Sequence, residues 1–112
     1  ITVQTDELLR ELTYLKECAG SCEKPYVRFT GEELSINGPS GHFMTRVSMS
    51  GRGDLIVGFD IRYMLDALKQ FRKEPEVQIK LSGAYTPIVV KAEGRSDFAL
   101  VLPVRLREER AA

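Results

Sequence analysis

The order of apolar and turn-forming residues predicts an α+β fold. A β-α-β-β-β unit occurs twice, with two helices packed on one side of an antiparallel sheet. Three observations carry this. Leu8 to Leu15 and Met64 to Phe71 both hold apolar residues at helical spacing. Leu8, Leu9, Leu12 and Leu15 match Met64, Leu65, Leu68 and Phe71 at a constant offset of 56. Each helical stretch is preceded by one short apolar run and followed by three that read as strands. One such unit cannot bury its helix, whereas two side by side can.

The first half begins with Ile1 to Gln4, which alternates as a short strand. Thr5 and Asp6 are placed to cap the helix that follows, and Gly20 is a stop just past Ala19. Tyr26 to Thr30 and Leu34 to Asn37 read as a hairpin around Gly31-Glu32-Glu33. Asn37-Gly38-Pro39-Ser40-Gly41 is a loop of turn formers. Phe43 to Ser50 alternates as one further strand, and Gly51-Arg52-Gly53-Asp54 breaks it.

The second half repeats the order. Leu55 to Val57 is a strand, Gly58-Phe59-Asp60 a sharp junction, and Asp60 to Lys73 a helix capped by the Asp60 carboxylate. Ile61, Met64, Leu65, Leu68 and Phe71 form its apolar face. Glu74-Pro75 ends it, because proline cannot donate and restricts the residue before it. Val77, Ile79 and Leu81 share one face of the next strand. Pro87 to Lys91 and Phe98 to Leu102 are the last two strands. Pro103, which cannot donate to a central ladder, marks where the chain leaves the sheet and exposes Val104, Arg105 and Leu106.

At 112 residues the chain reads as one domain over 1–106, with pseudo-repeats at about 1–50 and 54–106 and a charged tail at 107–112. The 43% hydrophobic and 29% charged fractions are ordinary for a soluble domain with its own core. Sixteen basic and sixteen acidic side chains balance, which argues against a nucleic-acid-wrapping protein as a bulk property but leaves room for a local basic face. No apolar run approaches the roughly 20 residues of a membrane span, and no charged-then-apolar leader is expected at Ile1.

No constellation for catalysis stands out. The single histidine, His42, reads as an exposed loop or edge residue, and no glycine-rich phosphate loop opens a helix. Cys18 and Cys22 read as free thiols in a reducing compartment, with a disulfide the alternative in an oxidising one. Metal spacing is lacking, so neither metal nor cofactor is expected. Arg52-Gly53-Asp54 spells an adhesion tripeptide, but a turn between strands explains it better. Two features stand apart. Arg62, Lys69 and Lys73, with Arg72 adjacent, put cations on one helix face. That face is either simply solvated, as Asp66 in its midst suggests, or suited to a phosphate backbone. The final run FALVLPVRL is either a frayed end or an apolar surface rimmed by arginine, suited to docking a peptide.

The segments GFDIRYMLDALKQF, EVQIKLSGAYTPIVVK and LVLPVRL closely resemble the C-terminal domain of the bacterial DNA polymerase III beta subunit, the sliding clamp. The likeness spans essentially the whole chain and is weakest between Lys24 and Asp54. It implies the DNA-clamp fold. Clamp chains carry three such domains in series, and two chains close into a homodimeric ring around duplex DNA, with helices lining the hole. The resemblance therefore implies a non-catalytic processivity factor, without cofactor, in the bacterial cytoplasm at the nucleoid. It also implies non-specific contact with DNA through Arg62, Lys69, Arg72 and Lys73. Polymerase, clamp loader and repair proteins would dock linear peptides in a pocket. Position by position, that pocket falls on Asp60, Tyr63, Tyr85, Pro87, Leu102, Pro103, Val104, Arg105 and Leu106. The sequence departs from the family in its tail beyond Leu106, in shortened stretches at Glu23 to Tyr26 and Asn37 to Gly41, and in the little apolar area that Ala19-Gly20 offers a neighbouring protomer. A second reading is therefore a clamp-like interaction module that no longer forms a ring on DNA.

Overall fold

The computed structural model describes residues 1–21, 25–30, 33–38, 41–50, 56–83 and 85–104. Among these the chain forms two helices and ten strands. In the first half these are β1 (Thr2–Gln4), α1 (Thr5–Ala19), β2 (Tyr26–Thr30), β3 (Glu33–Gly38), β4 (Gly41–Arg46) and β5 (Met49–Ser50). The second half gives β6 (Ile56–Asp60), α2 (Ile61–Lys69), β7 (Glu76–Lys80), β8 (Ile88–Lys91), β9 (Phe98–Val101) and β10 (Pro103–Val104).

The strands divide between two antiparallel five-stranded sheets, ordered β5-β1-β7-β8-β9 and β10-β6-β2-β3-β4. Neither sheet belongs to one repeat. The first strand of each unit pairs on one side with the second strand of the other unit: Gln4 opposes Glu76, and Asp60 opposes Tyr26. On its other side it pairs with the last strand of its own unit: Val3 opposes Met49, and Phe59 opposes Pro103. The two helix starts are likewise tied across the repeat. The Thr5 N–H donates to the Pro75 carbonyl and the Ile61 N–H to the Pro25 carbonyl, both at 3.0 Å. Each helix thus hands one of its unpaired first-turn donors to the proline that precedes a strand of the other unit.

Alternation puts Val27 and Phe29, Leu34 and Ile36, Val77 and Ile79, and Ile88 and Val90 inside. Both helices lay their apolar stripes on these strands: Leu8, Leu12 and Leu15 from α1, and Met64, Leu65, Leu68 and Phe71 from α2, are all buried. Leu8, Leu12, Met64, Phe29, Phe59 and Ile88 meet around a void of only about 10 Å³, so helices and both sheets share one filled core.

Several local expectations are corrected. Thr5 does not cap α1. It is the first helical residue and wholly buried, Gln4 holds the cap position without a side-chain bond, and Asp6 and Glu7 lie in the first turn, where they favour the helix dipole. Gly20 stops α1 as expected, with φ +59° and its N–H shared by the carbonyls of Lys16 and Glu17. The stretch 43–50 is not one strand. It breaks at Val47-Ser48, where the chain passes from one sheet to the other; Val47 is buried and the Ser48 N–H donates to Glu7 Oε1 at 3.2 Å. The loop expected at 37–41 is narrower, since pairing continues to Gly38 opposite Gly41. Gly58-Phe59-Asp60 is not a junction but strand, and α2 starts directly at Ile61. That helix ends at Lys69 rather than Lys73: Gln70, Phe71 and Arg72 turn more tightly, their N–H groups donating to carbonyls three residues back, which tucks Phe71 into the core. Finally, Val104 is not left exposed. It is half-buried and opposes Gly58 in β10.

Candidate peptide-docking cleft

Asp60 ends β6 and begins α2. Its backbone is extended (φ −76°, ψ 122°) and the residue is only 4% exposed. Oδ1 accepts the Arg62 N–H at 2.9 Å and the Arg62 Nε–H at 3.0 Å, while Oδ2 accepts from Nη2 at 2.6 Å. One carboxylate therefore caps the helix and holds a guanidinium in a two-pronged ion pair. The Arg62 bonds keep the Asp60 carboxyl below its ordinary pKa although burial pushes the other way, and Asp60 raises that of Arg62. The guanidinium carbon of Arg62 lies 5.9 Å from the centre of the Tyr63 ring, and Tyr63 is 60% exposed.

These residues form one side of an open cleft of about 790 Å³. Tyr26 and Asp60 lie at its β6 end, Arg62, Tyr63, Asp66 and Ala67 line it from α2, and Gln70 lines it from the turn that ends that helix. The opposite side is the edge strand β9 and its continuation through Leu102, Pro103 and Val104. In β9 the inward residues Ala99 and Val101 are buried, but the outward ones are apolar too: Phe98 is 58% and Leu100 57% exposed, and Leu102 beyond them 69%. A sheet face turned to solvent ordinarily carries polar side chains, so this row is an apolar patch without cover in the chain described. Pro103 is accommodated because β10 is an edge strand, where a missing donor costs nothing.

Of the residues expected at a pocket, Asp60, Tyr63, Leu102, Pro103 and Val104 come together here. Tyr85 and Pro87 are exposed and do not line the cleft. Arg105 and Leu106 lie outside the described residues. Arg62, expected among the DNA-facing cations, is bound to Asp60 and lines the cleft. Lys69, Arg72 and Lys73 are exposed, do not line the cleft and make no ion pair among the described residues. Sequence reasoning missed Phe98, Leu100, Gln70 and Tyr26. The first two were legible in FALVL, where both phases of the alternation are apolar and one must face outward.

His42 is exposed, its Nδ1 2.8 Å from Asn37 Oδ1. Cys18 is a half-buried free thiol, and Cys22 lies outside the described residues, as does Arg52-Gly53-Asp54. Among the described residues no group of acidic, histidine or cysteine side chains is placed to hold a metal ion, and no helix is long and apolar enough to cross a membrane.

Comparison with known proteins agrees with this architecture. Residues 43–105, 63 of 112, match the family described as DNA polymerase III beta subunit, C-terminal domain. No match was found among curated proteins. The fold superimposes on the beta sliding clamp of C. crescentus with a TM-score of 0.81 at 18% identity, covering 94% of this chain and 29% of that one. For the DNA polymerase sliding clamp of Bacillus subtilis the TM-score is 0.80 at 26% identity, covering 95% and 30%. For the DNA polymerase III beta subunit of Thermotoga maritima it is 0.77 at 21%, covering 94% and 30%. The chain thus spans about a third or less of each solved clamp. With more than half of its residues matched and the duplicated fold in place, the chain belongs to the family of C-terminal domains of the DNA polymerase III beta subunit.

Proposed function

We propose that this chain serves as the C-terminal domain of a replicative sliding clamp. In this reading a homodimeric ring encircles duplex DNA, holds the polymerase by topology and performs no chemistry of its own, in the bacterial cytoplasm at the nucleoid. Polymerase, clamp loader and repair proteins dock on it through short linear peptides. The observation that carries the docking role is the cleft between α2 and β9–β10. Exposed Tyr63, Phe98, Leu100 and Leu102 offer apolar contact there, beside the fixed Asp60–Arg62 pair. Such a site suits a peptide with leucine or phenylalanine anchors, with a few polar groups to orient it. Lys69, Arg72 and Lys73 support sequence-independent contact with phosphates, which permits sliding where base readout would arrest it.

The test is titration of a labelled peptide carrying such anchors into the 112-residue chain and its Leu102→Asp variant. A charge in the apolar row is expected to weaken binding by about tenfold or more. Equal affinity for both proteins removes the docking assignment.

A further inference from the structure

This inference rests on the docking reading and concerns how one end of the cleft is held. Arg95 lies in the turn between β8 and β9. Its Nη1 donates to the Gln70 carbonyl at 3.1 Å, one of the acceptors left over at the end of α2. Its Nε donates to Asp97 Oδ1 at 2.9 Å, and Nη2 donates to Oδ2 of the same carboxylate. The guanidinium carbon stands 4.6 Å from the centre of the buried Phe71 ring, a stacked cation–π contact that roofs the core at that point. The Arg95 N–H closes its own turn on the Ala92 carbonyl at 3.2 Å.

What Arg95 joins are the two walls of the cleft. Gln70 lines it from the C-terminal end of α2, just past Lys69, and Phe98, next to Asp97, lines it from β9. Among the described residues no other hydrogen bond links the 92–97 turn to α2. The planar guanidinium serves all three partners at once, which the single ammonium of a lysine cannot. We infer that Arg95 is a positioning residue of the peptide cleft: by bridging Gln70 and Asp97 over Phe71, it sets the spacing between α2 and the Phe98 end of β9. Arg95 need not touch the peptide. It determines whether Phe98 stands where an apolar anchor can reach it.

A double-mutant cycle tests this by fluorescence anisotropy of a labelled peptide of about ten residues with leucine and phenylalanine anchors. Arg95→Ala and Phe98→Ala are each expected to weaken binding about five- to tenfold, and the double variant no more than the weaker-binding single, because Arg95 acts through Phe98. Arg95→Ala combined with Tyr63→Ala, at the other end of α2, is expected to multiply the two losses. Arg95→Lys keeps the charge and does not restore binding. If Arg95→Ala does not fold, Asp97→Asn combined with Phe98→Ala carries the same cycle. Unchanged binding by the Arg95 variants, or losses that multiply with Phe98→Ala, overturns the inference while leaving docking intact, provided Leu102→Asp still weakens binding. Failure of the unsubstituted chain to bind overturns the docking reading and this inference with it.

Discussion

Replacing Asp60 by asparagine and by alanine separates two roles that one carboxylate performs. As a cap it accepts the Arg62 N–H at 2.9 Å; as an anion it holds the Arg62 guanidinium. Asparagine caps about as well as aspartate but carries no charge, whereas alanine does neither. The loss of a cap costs about 1 kcal/mol. Asp60→Ala is therefore expected to be less stable than Asp60→Asn by about 1 kcal/mol at neutral pH, or about 4 °C in Tm for a chain of this size. The ion pair adds a pH-dependent part. The Asp60 carboxyl titrates lower in the folded than in the unfolded chain, so its contribution is present in full above the unfolded value. It is lost as pH falls from about 4 through the depressed folded pKa. The fall in stability below about pH 4 is expected to be shallower in Asp60→Asn than in the parent. Glu11, lowered by the Thr45 hydroxyl, and Asp97, lowered by Arg95, fall in the same direction and keep some acid sensitivity in every variant. Urea denaturation at about pH 7 and at steps below about pH 4 reads both effects. Equal stability of the two variants at neutral pH would refute the cap, and parallel acid limbs in parent and Asp60→Asn would refute the ion-pair contribution.

Two further outcomes follow from other parts of the molecule. A Cβ built at Gly38 lies 2.3 Å from the Cys18 carbonyl oxygen, where backbone rather than a flexible side chain must give way. Gly38→Ala is expected to cost about 2 kcal/mol or more in urea denaturation, and a change within about 0.5 kcal/mol would show that β3 and α1 separate easily. Under the proposed function, Lys69, Arg72 and Lys73 contact DNA phosphates. The 112-residue chain is expected to bind duplex DNA weakly and without sequence preference. Replacing all three by glutamine should reduce the slope of log affinity against log salt by about 2 to 3, and an unchanged slope removes this face from the DNA contact.

Much of the fold was legible because its signals are local and redundant. The offset of 56 between the helices survives in the structure as equivalent burial of Leu8, Leu12 and Leu15 with Met64, Leu68 and Phe71. The cap at Asp60 and the stop at Gly20 were legible because each depends on one side chain and its immediate neighbours. The errors at 58–60 and 43–50 share a cause, in that pairing partners distant in sequence decided them. Gly58 and Phe59 read as a junction, but β2 on one side and β10 on the other hold them extended. The alternation of 43–50 is continuous in sequence, yet the chain changes sheets within it because Met49 pairs with Val3. The cleft was half legible. Tyr63 and the segment from Leu102 to Val104 followed from a resemblance, while Gln70 and Tyr26 enter only because α2 and β2 lie where the tertiary fold puts them.

The pseudo-symmetry also explains why the cleft occurs in the second repeat. Positions in the first strand and helix correspond at an offset of 56, and β5 corresponds to β10 at 54, since Met49 opposes Val3 as Pro103 opposes Phe59. At the place in the first repeat that corresponds to the cleft, α1 carries Glu7 and Glu11. Glu7 accepts the Ser48 N–H, and Glu11 accepts the Thr45 hydroxyl, so two carboxylates tie the helix to the β4–β5 segment. The corresponding pairs in the second repeat are Tyr63 with Leu102 and Ala67 with Ala99. None of these side chains bridges helix to strand: Ala67 and Ala99 are too short, and Tyr63 and Leu102 turn outward, 60% and 69% exposed. The same backbone architecture is thus laced shut by two polar side chains in one repeat and left open in the other by their replacement with alanine and exposed apolar groups. An apolar row that no intramolecular partner covers among the described residues costs solubility and contributes nothing to the fold that its polar counterpart would not. Its placement where the first repeat shows how such a gap is closed supports the proposed docking of a peptide there.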